Sequence, residues 1–258
     1  MVKSFLKRIL FSTVAFIALS AHVYGVKQSF YYQIKVYHFK TDQQEKTIDE
    51  YLKTAFLPAL HSTGIKDVGV FKPIAKDTSD RLIYVFIPLK KLTDLDRINT
   101  EVGKDKAFAE KGKLYLNAAY NEAPYTRIES IILKAFASMP EYSLPKLTTP
   151  KNERVYELRS YEAATENLSR NKIEMFNDYE VAIFSKLNFN AVFYGQVISG
   201  GKMPNLMYLT TFNNKVDRDS HWAAFGPEYK KISGLPQYQY NVSKNVTLFL
   251  YPADYSDF

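Results

Sequence analysis

Two six-residue tracts hold the side chains best placed for chemistry. Tyr156-Glu157-Leu158-Arg159-Ser160-Tyr161 sets a carboxylate, a guanidinium and a phenol at every second position. Alternation along a strand sends Glu157, Arg159 and Tyr161 to one face and Tyr156 and Leu158 to the other. Tyr32-Gln33-Ile34-Lys35-Val36-Tyr37 has the same pattern 124 positions earlier, with Gln33, Lys35 and Tyr37 on the matching face. Such a face would look into a barrel or out to solvent. Turned inward, Arg159 with Glu157 and Tyr161 would form a polar floor in an aromatic cavity, able to orient a carboxylate or a phenol. The alternative is an internal ion pair that joins two sheets.

A second group, Arg218, His221 and Trp222, falls at an expected helix start near Ser220. It could touch a ligand, or Trp222 could pack against a cation in a purely structural role. His61 lies just before Gly64, where an imidazolium would suit a helix C-terminus. His38 ends a strand with no carboxylate beside it in sequence. These spacings match no metal-binding pattern, and the chain has neither a nucleophile elbow nor a phosphate-cradling glycine loop. Three Asn-X-Ser/Thr triplets, at Asn167, Asn241 and Asn245, are read as incidental.

Composition narrows the classes further. The 258 residues contain no cysteine, which excludes disulfides, thiolate nucleophiles and iron–sulfur ligation. Twenty Tyr and 18 Phe against one Trp require a deep core or an aromatic cavity. Residues 1–25 read as a secretory signal, with Lys3, Lys7 and Arg8 before an apolar run from Ile9 to Ala21; the alternative is an uncleaved membrane anchor. Cleavage after Gly25 lowers the formal net charge from +7 to +4, too little and too scattered for nucleic acid. No later segment reaches transmembrane length, so no stable membrane span is expected after cleavage.

The elements that must position these residues repeat as well. In the first half, strands are expected at Phe30–Phe39, around Val68–Phe71, at Leu82–Leu89 and around Ile128–Leu133. A helix opened by Thr47 or Asp42 and closed by Gly64, and another near Ala107–Ala119, complete the set. The second half gives strands Arg154–Glu162, Ala191–Ile198, Leu206–Phe212 and Val246–Tyr251, with helices over Leu168–Leu187 and from Ser220. Leu82-Ile83-Tyr84-Val85 and Leu206-Met207-Tyr208-Leu209 share the offset of 124, which marks a duplication. The fold class is α+β: tandem βαββαβ ferredoxin-like modules at 26–137 and 154–258, joined by a proline-rich connector at 138–153. The last strand alternates Val246, Leu248, Leu250 with Thr247, Phe249, Tyr251, so both faces of its sheet look buried. Two such sheets stacked face to face make a barrel, within one chain or between two.

At this point the second half resembles the NIPSNAP family. The resemblance rests on Arg154-Val155-Tyr156-Glu157-Leu158-Arg159-Ser160-Tyr161, Met207-Tyr208-Leu209, Arg218-Asp219-Ser220-His221-Trp222-Ala223-Ala224-Phe225 and Pro227-Glu228-Tyr229. The first half keeps the strand pattern without the Arg and Trp of the helix start. The resemblance implies a dimeric α/β-barrel fold of the ferredoxin-like kind and leaves the biochemical role open.

The expected function is therefore binding. An exported protein, periplasmic or secreted, would hold a small hydrophobic or aromatic ligand or a protein partner. Candidate contacts are Tyr37, Glu157, Arg159, Tyr161, Tyr208, Arg218, His221 and Trp222. No cofactor or metal is assigned, and a homodimer is possible in such a fold. Two alternatives stand beside this: an enzyme of the same barrel type, either a cofactor-independent oxygenase or a haem enzyme using His61 or His221, and an interaction scaffold working through sheet faces.

Overall fold

The computed structural model describes residues 28–75 and 77–258. The expected signal segment, 1–25, lies outside the described residues. In chain order the elements are β1 (Tyr31–Phe39), α1 (Asp42–Tyr51), α2 (Leu57–Ser62), β2 (Gly69–Pro73), β3 (Arg81–Leu89), α3 (Asp94–Lys104), α4 (Lys106–Lys111), α5 (Lys113–Leu116) and β4 (Arg127–Ala135). The second set is β5 (Val155–Glu162), α6 (Glu166–Met175), α7 (Val181–Lys186), β6 (Phe193–Ser199), β7 (Asn205–Phe212), α8 (Lys215–Ser233) and β8 (Lys244–Pro252). Both sets run β, helical segment, β, β, helical segment, β, as expected.

The eight strands close into one antiparallel barrel in the order β1-β3-β2-β8-β5-β7-β6-β4. Each module contributes a four-stranded ferredoxin-like sheet, and the seams join β2 to β8 and β4 to β6. Closure is thus achieved by one chain, and every strand has two neighbours, which leaves no edge for a second copy to extend.

Alternation on the strands creates three apolar layers. Inward-facing Tyr32, Ile34, Val36, Phe71, Tyr84, Phe86, Tyr156, Leu158, Phe193, Met207, Leu209 and Leu250 pack the barrel interior. An eight-stranded barrel is just wide enough for side chains to fill it, and here rings fill it. Phe86 stacks on Phe193 at 5.1 Å, and Tyr32 lies 5.2 Å from Phe86. The aromatic excess packs the interior rather than enclosing an open cavity there. Outward-facing residues meet the helices: Tyr37, Ile83, Val85 and Ile87 in the first module, and Val155, Tyr194, Leu206, Tyr208 and Phe212 in the second.

The duplication extends to the helix caps and to irregularities. Thr41 caps α1 and Thr165 caps α6, 124 positions apart, each accepting a hydrogen bond from the backbone three residues on. Thr41, rather than Thr47 or Asp42, opens the first helix, with the Gln44 side chain returning a capping-box bond. A π-helical turn follows each helix, at Leu52–Phe56 and Phe176–Glu180, again at that offset. Gly64, at φ 93°, ends the first helical segment in the left-handed conformation that glycine adopts without strain.

One expected correspondence is out of register. Tyr84 pairs with Val36 and points into the barrel, whereas Tyr208 pairs with Arg159 and points to the helices. The residue that matches Tyr208 is Val85, which pairs with Lys35. A shift of one position reverses the face, so the shared Tyr marks two different environments.

Candidate functional site

Glu157, Arg159, Tyr161, Tyr208, Arg218 and Trp222 come together, but between sheet and helix rather than inside the barrel. Tyr156 and Leu158 take the inward positions of β5, so the alternate residues must face α8. Tyr37 is not among them. It faces the first module's helices, beside Tyr115 and Tyr125. His221 lies in the second turn of α8, which begins at Lys215 on an Asn214 cap rather than near Ser220. Its Nδ1 is 2.8 Å from the Asp217 carbonyl, and its ring packs on Phe189 and Phe212.

Glu157 is fully buried and fully paired. Arg218 donates to it twice, from Nε at 2.7 Å and Nη2 at 2.9 Å. Arg159 Nε and Trp222 Nε1 each donate at 2.7 Å. Arg159 also lies over the Trp222 ring, 3.9 Å from its centroid. Burial alone would raise the Glu157 carboxyl; the hydrogen bonds and charges of Arg218 and Arg159 outweigh it and hold the group below its ordinary value. Arg159 continues the chain of contacts, donating to Tyr161 at 3.1 Å, and Tyr161 shares a hydrogen bond of 2.8 Å with Tyr208. Burial opposes the Arg159 charge, but Tyr208, Tyr161 and Glu157 together raise its guanidinium above the ordinary value. This arrangement pins α8 to β5.

Sequence reasoning missed the buried pair behind it. Lys172 on α6 donates to Glu180, in the π turn, at 2.5 Å, and its ammonium lies 3.3 Å from the Tyr229 hydroxyl and 5.7 Å from the Tyr161 ring. Burial works against the Lys172 charge, and Glu180 and Tyr229 more than restore it, so the ammonium is raised. At the corresponding positions of the first module stand Ile48 and Phe56, both in an apolar layer. The usable signal was the replacement of Ile48 and Phe56 by Lys and Glu at the offset of 124.

Tyr229 leads to the surface. An open groove of about 360 Å³ runs along Tyr229, Ser233, Tyr238, Tyr240 and Asn241 at the end of α8. Tyr240 is 90% exposed there, whereas Tyr238 and Asn241 are buried. A larger groove of about 520 Å³, between α1 and the end of β8, is bordered by Asp42, Glu45, Asp49, Lys72 and Tyr255. Three of its acids are already engaged: Lys72 pairs with Glu45 and Asp49, Arg81 with Asp42 and Glu45, and Tyr255 donates to Asp49.

The remaining histidines find partners through the fold. His38 Nδ1 lies 2.9 Å from Asp80, with Glu129 at 3.6 Å from Nε2, and His61 Nε2 is 2.8 Å from Asp257. Among the described residues no group of three or more His, Cys, Asp or Glu side chains could hold a metal ion. None of their helices is long and apolar enough to cross a membrane.

Among solved structures, a protein provisionally named a monooxygenase from Fusobacterium nucleatum superposes with a TM-score of 0.55 at 8% identity, over 88% of this chain and 93% of its own. A second, from Lactobacillus acidophilus and named in the same provisional way, gives 0.51 at 12% identity, over 87% and 94%. At these identities the likeness is one of fold. No curated protein matches the chain significantly. The family model that matches is NIPSNAP, over residues 156–257, the stretch that holds the Glu157 clamp, the Lys172–Glu180 pair and the tyrosine groove. Over its second module, this chain is similar to the NIPSNAP family.

Proposed function

We propose that the protein is an exported binding protein that holds a small aromatic or hydrophobic ligand on the outside of the second module. The groove along Tyr229, Ser233, Tyr238, Tyr240 and Asn241 carries this reading. Its volume lies within the range of about 300–1,000 Å³ typical of small-molecule sites. Tyrosines supply apolar faces for stacking and hydroxyls for orientation. The Tyr229 hydroxyl is held from behind by the buried Lys172–Glu180 pair, which fixes one wall before any ligand arrives. Glu157, Arg159, Arg218 and Trp222 act here as the clamp that sets α8 in place, and their polar groups are spent on one another.

The test is calorimetric titration and thermal shift with a set of phenols, indoles and aliphatic acids on the wild type, Tyr240→Ala and Tyr229→Phe. Stabilisation by an aromatic member that is lost in Tyr240→Ala supports the reading. An unchanged response in both variants, or no stabilised member in the wild type, overturns it. Export rests on residues 1–25 and is checked by N-terminal sequencing of the protein recovered outside the cytoplasm.

A further inference from the structure

The lower mouth of the barrel, where β1 and β5 begin, is closed by the chain itself. After β8 ends at Pro252, the segment Ala253–Phe258 turns back across the opening and seats the Phe258 ring among the interior rings. Phe258 is 3% exposed, with its ring 5.8 Å from Phe86 and 5.9 Å from Phe71, edge to face with both. Tyr142 of the connector borders the same seat at 6.5 Å.

This segment is attached differently from a strand of the barrel. Its backbone and side-chain hydrogen bonds run largely to Val68–Val70: Ala253 N–H to the Val70 carbonyl, Val70 N–H to Ser256 Oγ, Asp257 N–H to the Val68 carbonyl and Val68 N–H to Asp257 Oδ2. His61 and Lys151 add one contact each. It is thus held to β2, to the residues before β2 and to α1, where Tyr255 donates to Asp49, and its release would break these contacts while leaving the pairs of β2 with β8 in place.

One ring further in, behind Phe86 and Phe71, stand two tyrosines. Tyr32 and Tyr156, the equivalent residues of the two modules, are both fully buried, and neither hydroxyl has a hydrogen-bond partner among the described residues. Tyr32 lies against Phe86 and Phe193, and Tyr156 against Phe71, 5.0 Å away. A buried hydroxyl without a partner is destabilising, and Phe at either position would avoid that cost. Burial pushes both phenols upward, at Tyr156 against the opposing effect of the neighbouring Arg154, so each keeps a proton to donate.

We infer that the lower mouth is a binding site for a small phenol, occupied in this structure by the ring of Phe258. When the Ala253–Phe258 segment lifts, the ring of the phenol takes the seat of Phe258 and its hydroxyl engages Tyr32 or Tyr156. The site is separate from the tyrosine groove of the second module and does not depend on it.

The probe pair is p-cresol and toluene, which differ by one hydroxyl, titrated by calorimetry against the wild type, Phe258→Ala and the milder Phe258→Leu, all in a Tyr240→Ala background that removes the outer groove. Removing the internal competitor should tighten p-cresol binding by about tenfold or more, as expected when a closed state no longer has to open. Adding Tyr32→Phe and Tyr156→Phe should abolish the preference for p-cresol over toluene. In the Tyr240→Ala protein that retains Phe258, saturating p-cresol should speed hydrogen exchange at the Val68, Val70 and Asp257 amides. Equal affinity for p-cresol and toluene in the Phe258 variants, no gain over the protein that retains Phe258, or unchanged exchange at those amides would overturn the inference.

Discussion

Arg218 on α8 grips both carboxylate oxygens of Glu157 on β5, at 2.7 and 2.9 Å, with Trp222 Nε1 and Arg159 Nε filling the remaining acceptor positions at 2.7 Å. A carboxylate with no exposure and four donors is a structural tie whose removal leaves two guanidiniums short of a partner. Glu157→Gln should therefore destabilise the fold by about 3–5 kcal/mol, the range for breaking a buried pair on one side. Urea unfolding of the two proteins measures it.

The same tie fixes the direction of the acid response. Arg218 and Arg159 hold the folded Glu157 carboxyl below its ordinary value against the effect of burial. Its stabilising contribution is thus fully present above the unfolded carboxyl value of about 4.3 and fades as pH falls through the lower folded value. Stability curves between pH 3 and 7 should show a steeper acid loss in the wild type than in Glu157→Gln. Parallel curves would contradict the assignment.

Lys172 and Glu180 offer a cleaner dissection because the first module supplies the apolar alternative. Lys172→Met alone leaves Glu180 buried without its partner and should cost about 3–5 kcal/mol. The double change to Lys172→Ile and Glu180→Phe reproduces Ile48 and Phe56 and should recover most of that loss, since apolar replacements of buried pairs are often neutral or stabilising. If the double variant is as unstable as the single one, the pair is held by packing that the first module does not share.

Tyr37 and Tyr161 occupy corresponding strand positions but predict opposite outcomes. The Tyr37 hydroxyl is buried beside Tyr115 without a well-formed hydrogen bond, whereas Tyr161 bonds both Arg159 and Tyr208. Tyr37→Phe should be neutral or slightly stabilising, and Tyr161→Phe should cost about 1–2 kcal/mol. Thermal unfolding of the two single variants gives the comparison.

These contrasts show which parts of the molecule were legible in the sequence. Strand alternation and the Tyr32/Tyr156 repeat were readable because a period of two and a fixed offset are local properties. The face on which Glu157 and Arg159 lie was readable only as opposite to Tyr156. What covers that face depends on where α8 packs, which alternation does not encode. Tyr84 and Tyr208 looked equivalent because a one-residue slip leaves the residue type unchanged while reversing its direction. The partners of His38 and His61 come from Asp80 and Asp257, 42 and 196 positions away; the pairing of β1 with β3 brings the first together, and the seam between β2 and β8 the second.

Closure itself can be tested at the seam between β4 and β6. A Cβ on Gly195 would stand 3.0 Å from Leu133 Cβ and 3.4 Å from the Lys134 carbonyl oxygen, closer than ordinary contact, and Leu133 is fully buried on the neighbouring strand. The strain would fall where the seam already shifts register, between Ile132 and Leu133. Gly195→Val should therefore cost about 1–3 kcal/mol by overpacking. Gly201, whose Cβ would meet nothing within 4 Å, provides the control. Gly201→Ala should stay within about 0.5 kcal/mol of the wild type. Unfolding midpoints that fall for Gly195→Val and hold for Gly201→Ala would tie stability to this seam, and a tolerated Gly195→Val would mean that the two sheets pack less closely there than the strand pairing requires.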